Sequence, residues 1–378
     1  MNPYDAVVVG ARCAGAASAM LMARAGMRVL LVDRVPPTRD TLSTHALMRA
    51  GVLQLDRWGL LERLVAAGTP PVVGTTFHYA DRSDPVELAR PLYAPRRTVL
   101  DALLVEAARE AGVECRFGID VTDVLRDDRS RVAGVTARAR GGQPLTVRAA
   151  LTVGADGLRS TVARLVGART THRGRAASAL VYGYWPAPGA DRYDWFYRPG
   201  AAAGVIPTND GEVCVWVGLP PARFLAERPA GVDAVLARTL RTAAPEVLDR
   251  ITLDARHGPL RGFPGAPGVL RQAFGPGWAL VGDAGYFKDP LTAHGITDAL
   301  RDAELLARAA ATGGAQAMAG YERTRDGLAR PLLAVAESIV GYRWDTEEIR
   351  RLLEAERLAF APEVAVVRGF DSAPVRAA

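Results

Sequence analysis

The first hydrophobic run, residues 6–9, is short, β-branched and unbroken by polar positions. That is the pattern of a strand buried on both faces, as in a parallel sheet. Gly10-Ala-Arg-Cys-Ala-Gly15 interrupts it, and residues 16–25, rich in Ala, Leu and Met, predict a helix. Gly26 stands where such a helix closes. Residues 28–32 then predict a second strand, ending at Asp33. Two later runs end the same way: residues 147–153 lead into Gly154-Ala-Asp-Gly157, and residues 278–281 into Gly282-Asp-Ala-Gly285. A helical turn is predicted over 158–164 and a long helix from Ile296. Between these, 181–185, 195–197 and 213–217 predict antiparallel strands, with Asn209-Asp-Gly211 as a hairpin turn. Residues 221–240 and 245–250 predict amphipathic helices, and 318–360 are mostly helical.

The pattern implies an α/β fold: a Rossmann-type nucleotide-binding domain with an inserted antiparallel-sheet substrate domain and C-terminal helices. The first domain takes residues 1–75, 96–168 and 271–335. The insert takes 76–95 and 169–270, and 336–378 form a C-terminal helical segment whose tail, after about Phe370, reads as disordered. No internal repeat is visible.

Composition narrows the function classes. Among 378 residues, 49% are hydrophobic, enough for a large core. No apolar run reaches the ~18–20 residues of a membrane span. The N-terminus lacks a basic stretch and a cleavage site, so a cytoplasmic location is expected. Cys13, Cys115 and Cys214 are far apart, which argues against a disulfide framework or a metal site. The net charge of +6 does not indicate nucleic acid, because the arginines are interspersed with acids; Lys288 is the only lysine.

The candidate chemistry begins at residue 10. Gly10 permits a tight turn out of the strand, and Gly15 allows close helix–strand packing. The helix N-terminus then offers free N–H groups to a pyrophosphate. Asp33 is placed to accept from both hydroxyls of an adenosine ribose and would repel a 2′-phosphate, favouring FAD or NAD over NADP at this site. Arg34, next to it, joins the cofactor-binding set. Arg12 replaces the middle glycine of such a turn, so its guanidinium either lies beside the phosphates or points to solvent. The aromatics Tyr182, Tyr184, Trp185, Tyr193, Trp195, Phe196, Tyr197 and Trp216 crowd into residues 179–220. They suggest a platform for a large apolar or aromatic ligand, although antiparallel strands favour aromatics anyway.

Taken together, the three strand–turn units resemble the class A flavin monooxygenases and their relatives, the aromatic hydroxylase and geranylgeranyl reductase group. Gly154, Asp156, Gly157, Arg159, Ser160 and Arg164 match that family's central motif. Gly282, Asp283, Pro290 and Gly295 match its C-terminal one, and Arg97 matches an arginine that opens a helix near the flavin. The resemblance implies that Asp283 contacts the FAD ribityl or pyrophosphate region. It also places Pro290–Gly295 beside the isoalloxazine, with Gly295 and Ile296 directing a helix N-terminus at the ring. His45 and His294 lie in loops that approach the flavin in relatives and are the catalytic candidates; His78, Tyr79 and Lys288 are weaker ones. Thr297 departs from the family, where asparagine is frequent. The tryptophans of the flavin-halogenase signature are missing before Ile206-Pro207. The implied function is an FAD monooxygenase that uses NADH or NADPH and O2 to hydroxylate or epoxidise an apolar or aromatic small molecule. A reductase of the geranylgeranyl reductase type is the alternative, and a non-catalytic FAD-binding protein is the alternative from another class.

Overall fold

Tyr4–Val9 lies at the middle of a sheet, between Val29–Asp33 and Pro144–Gly154, and all three run parallel. The computed structural model describes residues 4–37 and 40–370; the predicted disordered tail, 371–378, lies outside the described residues. Across the sheet the order is Phe274–Gly275, Trp278–Leu280, Pro144–Gly154, Tyr4–Val9, Val29–Asp33, Glu114–Phe117. Every neighbouring pair is parallel except the first. The register aligns Val9 with Val32 and Gly154, and Gly154 with Leu280. The strands carrying the three motifs therefore end at one edge, and the turns after them meet there.

The first helix, Cys13–Arg24, begins three residues earlier than the composition predicts, with Arg12 at its N-cap. Polar Arg12 and Cys13 obscure this start. Gly26 closes the helix at φ 86° as expected. The predicted turn over 158–164 is a helix only over Thr161–Leu165, because Gly157 takes φ 80° and Ser160 caps the later start. The predicted helix 221–240 is two, Pro221–Glu227 and Val232–Ala243; Pro229 and Gly231 (φ 94°) lie in the break.

The second sheet has seven strands, in the order His257–Phe263, Ala179–Pro186, Glu212–Leu219, Ala201–Pro207, Arg192–Arg198, Val72–His78, Ser83–Leu92. The Asn209–Gly211 turn joins two of them, with Asp210 and Gly211 both at positive φ, as a hairpin turn with two left-handed residues requires. Alternation sorts this sheet into two faces. Val181, Trp185, Phe196, Val213, Val215 and Val217 pack with Val235, Leu236 and Leu240 of the helix Val232–Ala243. Tyr182, Tyr184, Tyr193, Trp195, Tyr197 and Trp216 turn the other way, into the main core shared with the nucleotide-binding part. Gly295–Thr312 and Gly314–Ile339 pack as successive helices, and Thr346–Gly369 closes the fold. Among the described residues no helix is long and apolar enough to cross a membrane.

Candidate cofactor and active site

Where the three turns meet, a cavity of about 620 Å³ opens. Gly10, Arg12, Asp33, Arg34, His45, Arg97, Asp156, Asp283, Pro290, His294, Gly295 and Ile296 line it. Gly15 and Gly282, by contrast, set how closely its walls pack. A Cβ on Gly15 would stand 1.8 Å from the Gly10 carbonyl oxygen, and one on Gly282 would stand 2.7 Å from the Ala14 Cβ.

At the Gly10 end the site is built for an anion. The helix Cys13–Arg24 has no side-chain cap from Arg12, and its N-terminus faces the cavity beside the Asp101 carboxylate, which the Cys13 N–H and Arg97 hold. Of the two orientations open to Arg12, the structure takes the inward one: Nη1 is buried without a partner. A buried guanidinium nitrogen lacking an acceptor is costly unless a ligand supplies one. Asp33 is already engaged, since Oδ2 accepts from the Ala11 N–H at 2.7 Å and Oδ1 from the Val35 N–H at 2.9 Å. It holds the turn in shape, leaving only its remaining lone pairs for a ribose. The Arg34 side chain is exposed at the rim, 3.9 Å from Asp120.

The two acidic turns have different duties. Asp156 is committed to its own helix: Oδ1 accepts from Ser160 Oγ at 2.5 Å, and Oδ2 from the Thr161 and Val162 N–H groups. The Asp283 carboxylate accepts no hydrogen bond among the described residues, and burial pushes it up to about 6 against the pull of Arg97. Arg97 is buried and clamps Asp101, with Nη2 at 2.9 and 3.0 Å from its two oxygens. Arg271, which the sequence reading missed, ties the turns together by donating to the carbonyls of Ala284 (2.8 Å) and Leu158 (3.1 Å). The groups left facing the cavity are thus Arg12, Asp283 and the helix N-terminus. Together with the cavity they fit a dinucleotide's phosphates and polyol chain.

The other end is formed by the loop before Gly295–Thr312, whose N-terminus also lacks a side-chain cap. Leu42, Leu180, Tyr182, Phe263, Phe287 and Ile296 make its apolar wall. His45 is 1% exposed and sits at φ 69°. Its Nε2 shares a 2.6 Å hydrogen bond with the Tyr184 hydroxyl, and its Nδ1 has no partner. Burial, with Arg96 and Arg97 nearby, holds His45 well below the usual histidine range, so it is neutral. Its imidazole resonances are therefore expected to stay fixed between pH 5 and 8 in a long-range proton–nitrogen NMR titration of the five histidines; a midpoint near neutrality would refute this environment.

His294 is tied down instead. Its Nε2 donates to Glu363 at 2.6 Å, and its ring stacks on Phe360 at 4.0 Å between centroids. Arg301 joins the same cluster, 2.8 Å from Asp298, 2.6 Å from Asp302 and 2.9 Å from Glu363; Lys288 pairs with Asp298. His294, Asp298 and Glu363 bring ligand-type atoms within 4.8 Å of one another. Arg301 and Lys288 already supply the positive charge there, so a cation would be surplus. His78 is a bridging residue, between Ser83 and Asp194 and stacked on Phe196. Tyr79 is buried in the main core.

The aromatic platform needs correction. Of that set only Tyr182 reaches the cavity; its hydroxyl donates to the Thr41 carbonyl and accepts from the Ser43 N–H. Tyr184, Tyr193, Trp195, Tyr197 and Trp216 are buried core, and Trp185 and Phe196 face the helix Val232–Ala243. Sheet packing alone accounts for most of the enrichment. Phe263 and Phe287, outside the crowded segment, do line the cavity.

Comparison with known proteins agrees with this geometry. The family described as FAD binding domain matches residues 3–334. The chain is 31% identical over 331 residues to a menaquinone reductase of Mycolicibacterium smegmatis (strain ATCC 700084 / mc(2)155), covering 82% of this chain and 77% of that protein. It is 30% identical over 315 residues to a 6-methylpretetramide 4-monooxygenase of Streptomyces rimosus, covering 79% and 73%. Among solved structures, a flavin-dependent brominase superposes with a TM-score of 0.79 at 22% identity, over 97% of this chain and 92% of that one. That likeness concerns the fold alone.

Proposed function

The chain belongs to the FAD binding domain family and is an FAD-dependent oxidoreductase; from that premise we propose that it is a monooxygenase, using NADH or NADPH and O2 to hydroxylate or epoxidise an apolar or aromatic small molecule. The observation that carries this reading is the uncharged wall at the loop end of the cavity. Leu180, Phe263, Phe287 and Ile296 line it, burial favours the neutral form of His45, and Lys288 is paired with Asp298. FAD, when bound, supplies two-electron chemistry that a protein side chain cannot. The chain's own residues bind and orient it. Arg12 and the N-terminus of Cys13–Arg24 take the phosphates, and Asp283 takes the polyol hydroxyls. The N-terminus of Gly295–Thr312 favours negative charge at the ring. The seven-stranded sheet is the proposed substrate domain. The 30% identity to a 6-methylpretetramide 4-monooxygenase supports the monooxygenase reading.

A second reading, a reductase, is favoured by the menaquinone reductase likeness. Oxygen dependence separates the two. The holoenzyme is expected to release FAD, not FMN, on denaturation. Turnover with NAD(P)H and an aromatic substrate is expected to need O2 and to yield product one oxygen atom heavier by mass. Product two hydrogens heavier, formed without oxygen, would establish the reductase.

A further inference from the structure

Residues 40–46 lead towards the helix Arg49–Arg57, and Thr41, Leu42, Ser43, Thr44, His45 and Ala46 all line the cavity. Loop backbone in such a place must find partners for its N–H and C=O groups. Here side chains supply them. The Thr41 N–H donates to Asp40 Oδ1 at 3.0 Å, and the His45 N–H donates to Ser43 Oγ at 3.1 Å. Between them one hydroxyl serves two residues. Tyr182 Oη donates to the Thr41 carbonyl at 3.1 Å and accepts from the Ser43 N–H at 3.2 Å. It thus bridges the backbone on both sides of Leu42.

Other ties reinforce this bridge. Tyr184, two residues further along the same strand, holds His45 Nε2 at 2.6 Å. Arg261, opposite Tyr182 on the neighbouring strand, lies 3.3 Å from Asp40. Arg96 lies 3.4 Å from Asp40 and covers the Tyr184 ring, with its guanidinium carbon 3.5 Å from the centroid. His45 keeps a left-handed φ of 69°, which is costly for a residue other than glycine unless its surroundings enforce it. Leu42, between the ties, is 49% exposed although it also lines the cavity. It stands where the cavity meets solvent, so the shape of residues 41–43 decides how far the cavity is open there.

We propose that Tyr182 is a positioning residue: its hydroxyl holds residues 41–43 in place as the wall that closes the cofactor cavity against solvent. Burial raises the Tyr182 hydroxyl above its ordinary range, so it keeps its proton and remains a donor at neutral pH. The role rests on FAD in this cavity but not on a particular reaction, and it holds for a monooxygenase and a reductase alike.

Tyr182→Phe tests it, because the ring stays and only the hydroxyl goes. Two neutral hydrogen bonds are lost, each worth a factor of roughly 2–12 in an equilibrium. In FAD-loaded protein, amide exchange read by mass spectrometry is expected to speed up by at least that factor in residues 41–46. The strands Ala179–Pro186 and Glu212–Leu219 should keep wild-type protection. Release of FAD on dilution, followed by flavin fluorescence, should accelerate by a similar factor. The melting temperature of the apoprotein should stay within about 2 °C of wild type, as a local opening requires. Leu42→Ala leaves the ties in place and should accelerate release without altering exchange. Unchanged exchange in residues 41–46 of Tyr182→Phe would overturn the bridge. Faster exchange spread through the sheet, with a lowered melting temperature, would make Tyr182 a packing residue only. Unchanged FAD release in either variant would show that this segment does not close the cavity. A wild-type protein that binds no FAD would sink the cofactor's placement and the role of Tyr182 with it.

Discussion

Arg301→Met is expected to destabilise the protein by about 3–5 kcal/mol, the usual cost of removing one partner from a buried ionic cluster. Arg301 is fully buried and pairs with Asp298, Asp302 and Glu363 together. Without it, three buried carboxylates would share Lys288 and His294, and some would take up protons. The cluster also links the loop bearing His294 to the helix bearing Glu363, so the C-terminal helix should loosen first. Denaturant unfolding at pH 7 measures the loss, and hydrogen exchange locates it. Stability within about 0.5 kcal/mol of wild type, with unchanged protection in Thr346–Gly369, would mean that the cluster contributes no net anchoring.

Asp283→Ala is expected to weaken FAD binding roughly ten- to hundredfold, the loss of charge-assisted hydrogen bonds of about 1.5–3 kcal/mol. The structure sharpens this expectation. The Asp283 carboxylate has no protein hydrogen bond to lose, and burial raises it to about 6 against the pull of Arg97, so its ionised form is disfavoured in the folded state. A raised carboxyl stabilises the fold less as pH rises through that value. Apoprotein stability at pH 7 should therefore hold or rise in the variant while affinity falls. Titration of the mutant apoprotein with FAD, beside a melting curve, reads both. Unchanged affinity would remove Asp283 from the site; a large drop in apoprotein stability would show it to be structural. Asp156→Ala should behave in the opposite sense, costing stability first, because its Oδ2 caps the helix Thr161–Leu165 and its Oδ1 holds the Ser160 hydroxyl.

That contrast between two aspartates marks the limit of sequence reading here. Both follow a strand and a glycine, and both match a family motif, yet one is spent on its own backbone and the other is free. Ser160 and Thr161, four and five residues on, hold the clue, but only coordinates show both oxygens occupied. Arg97 is similar: its place at the start of Arg97–Glu110 was legible, its engagement with Asp101 was not. Asp298 and Arg301 showed only helical acid–base spacing, and Glu363 gave no local signal, being 69 residues from the histidine it orients.

The sequence by itself determined the strand–helix–strand units, the glycine positions and the meeting of three turns. These depend on short-range physics: β-branched runs extend, alanine-rich runs coil, and only glycine fits beside the Gly10 carbonyl or at φ 107°. It also determined the hairpin at Asn209–Gly211 and the long helix after the loop. The tertiary structure alone decided which polar groups remain unsatisfied and which aromatic side chains face empty space. Those outcomes depend on contacts between residues a hundred or more apart, such as His45 with Tyr184 and Ser178 with Asp289. Alternation along a strand fixes that Tyr182 and Tyr184 share a face. What covers that face is set by the cavity loop and the C-terminal helix, and chain entropy allows them to pack there only once the core between the two sheets has formed.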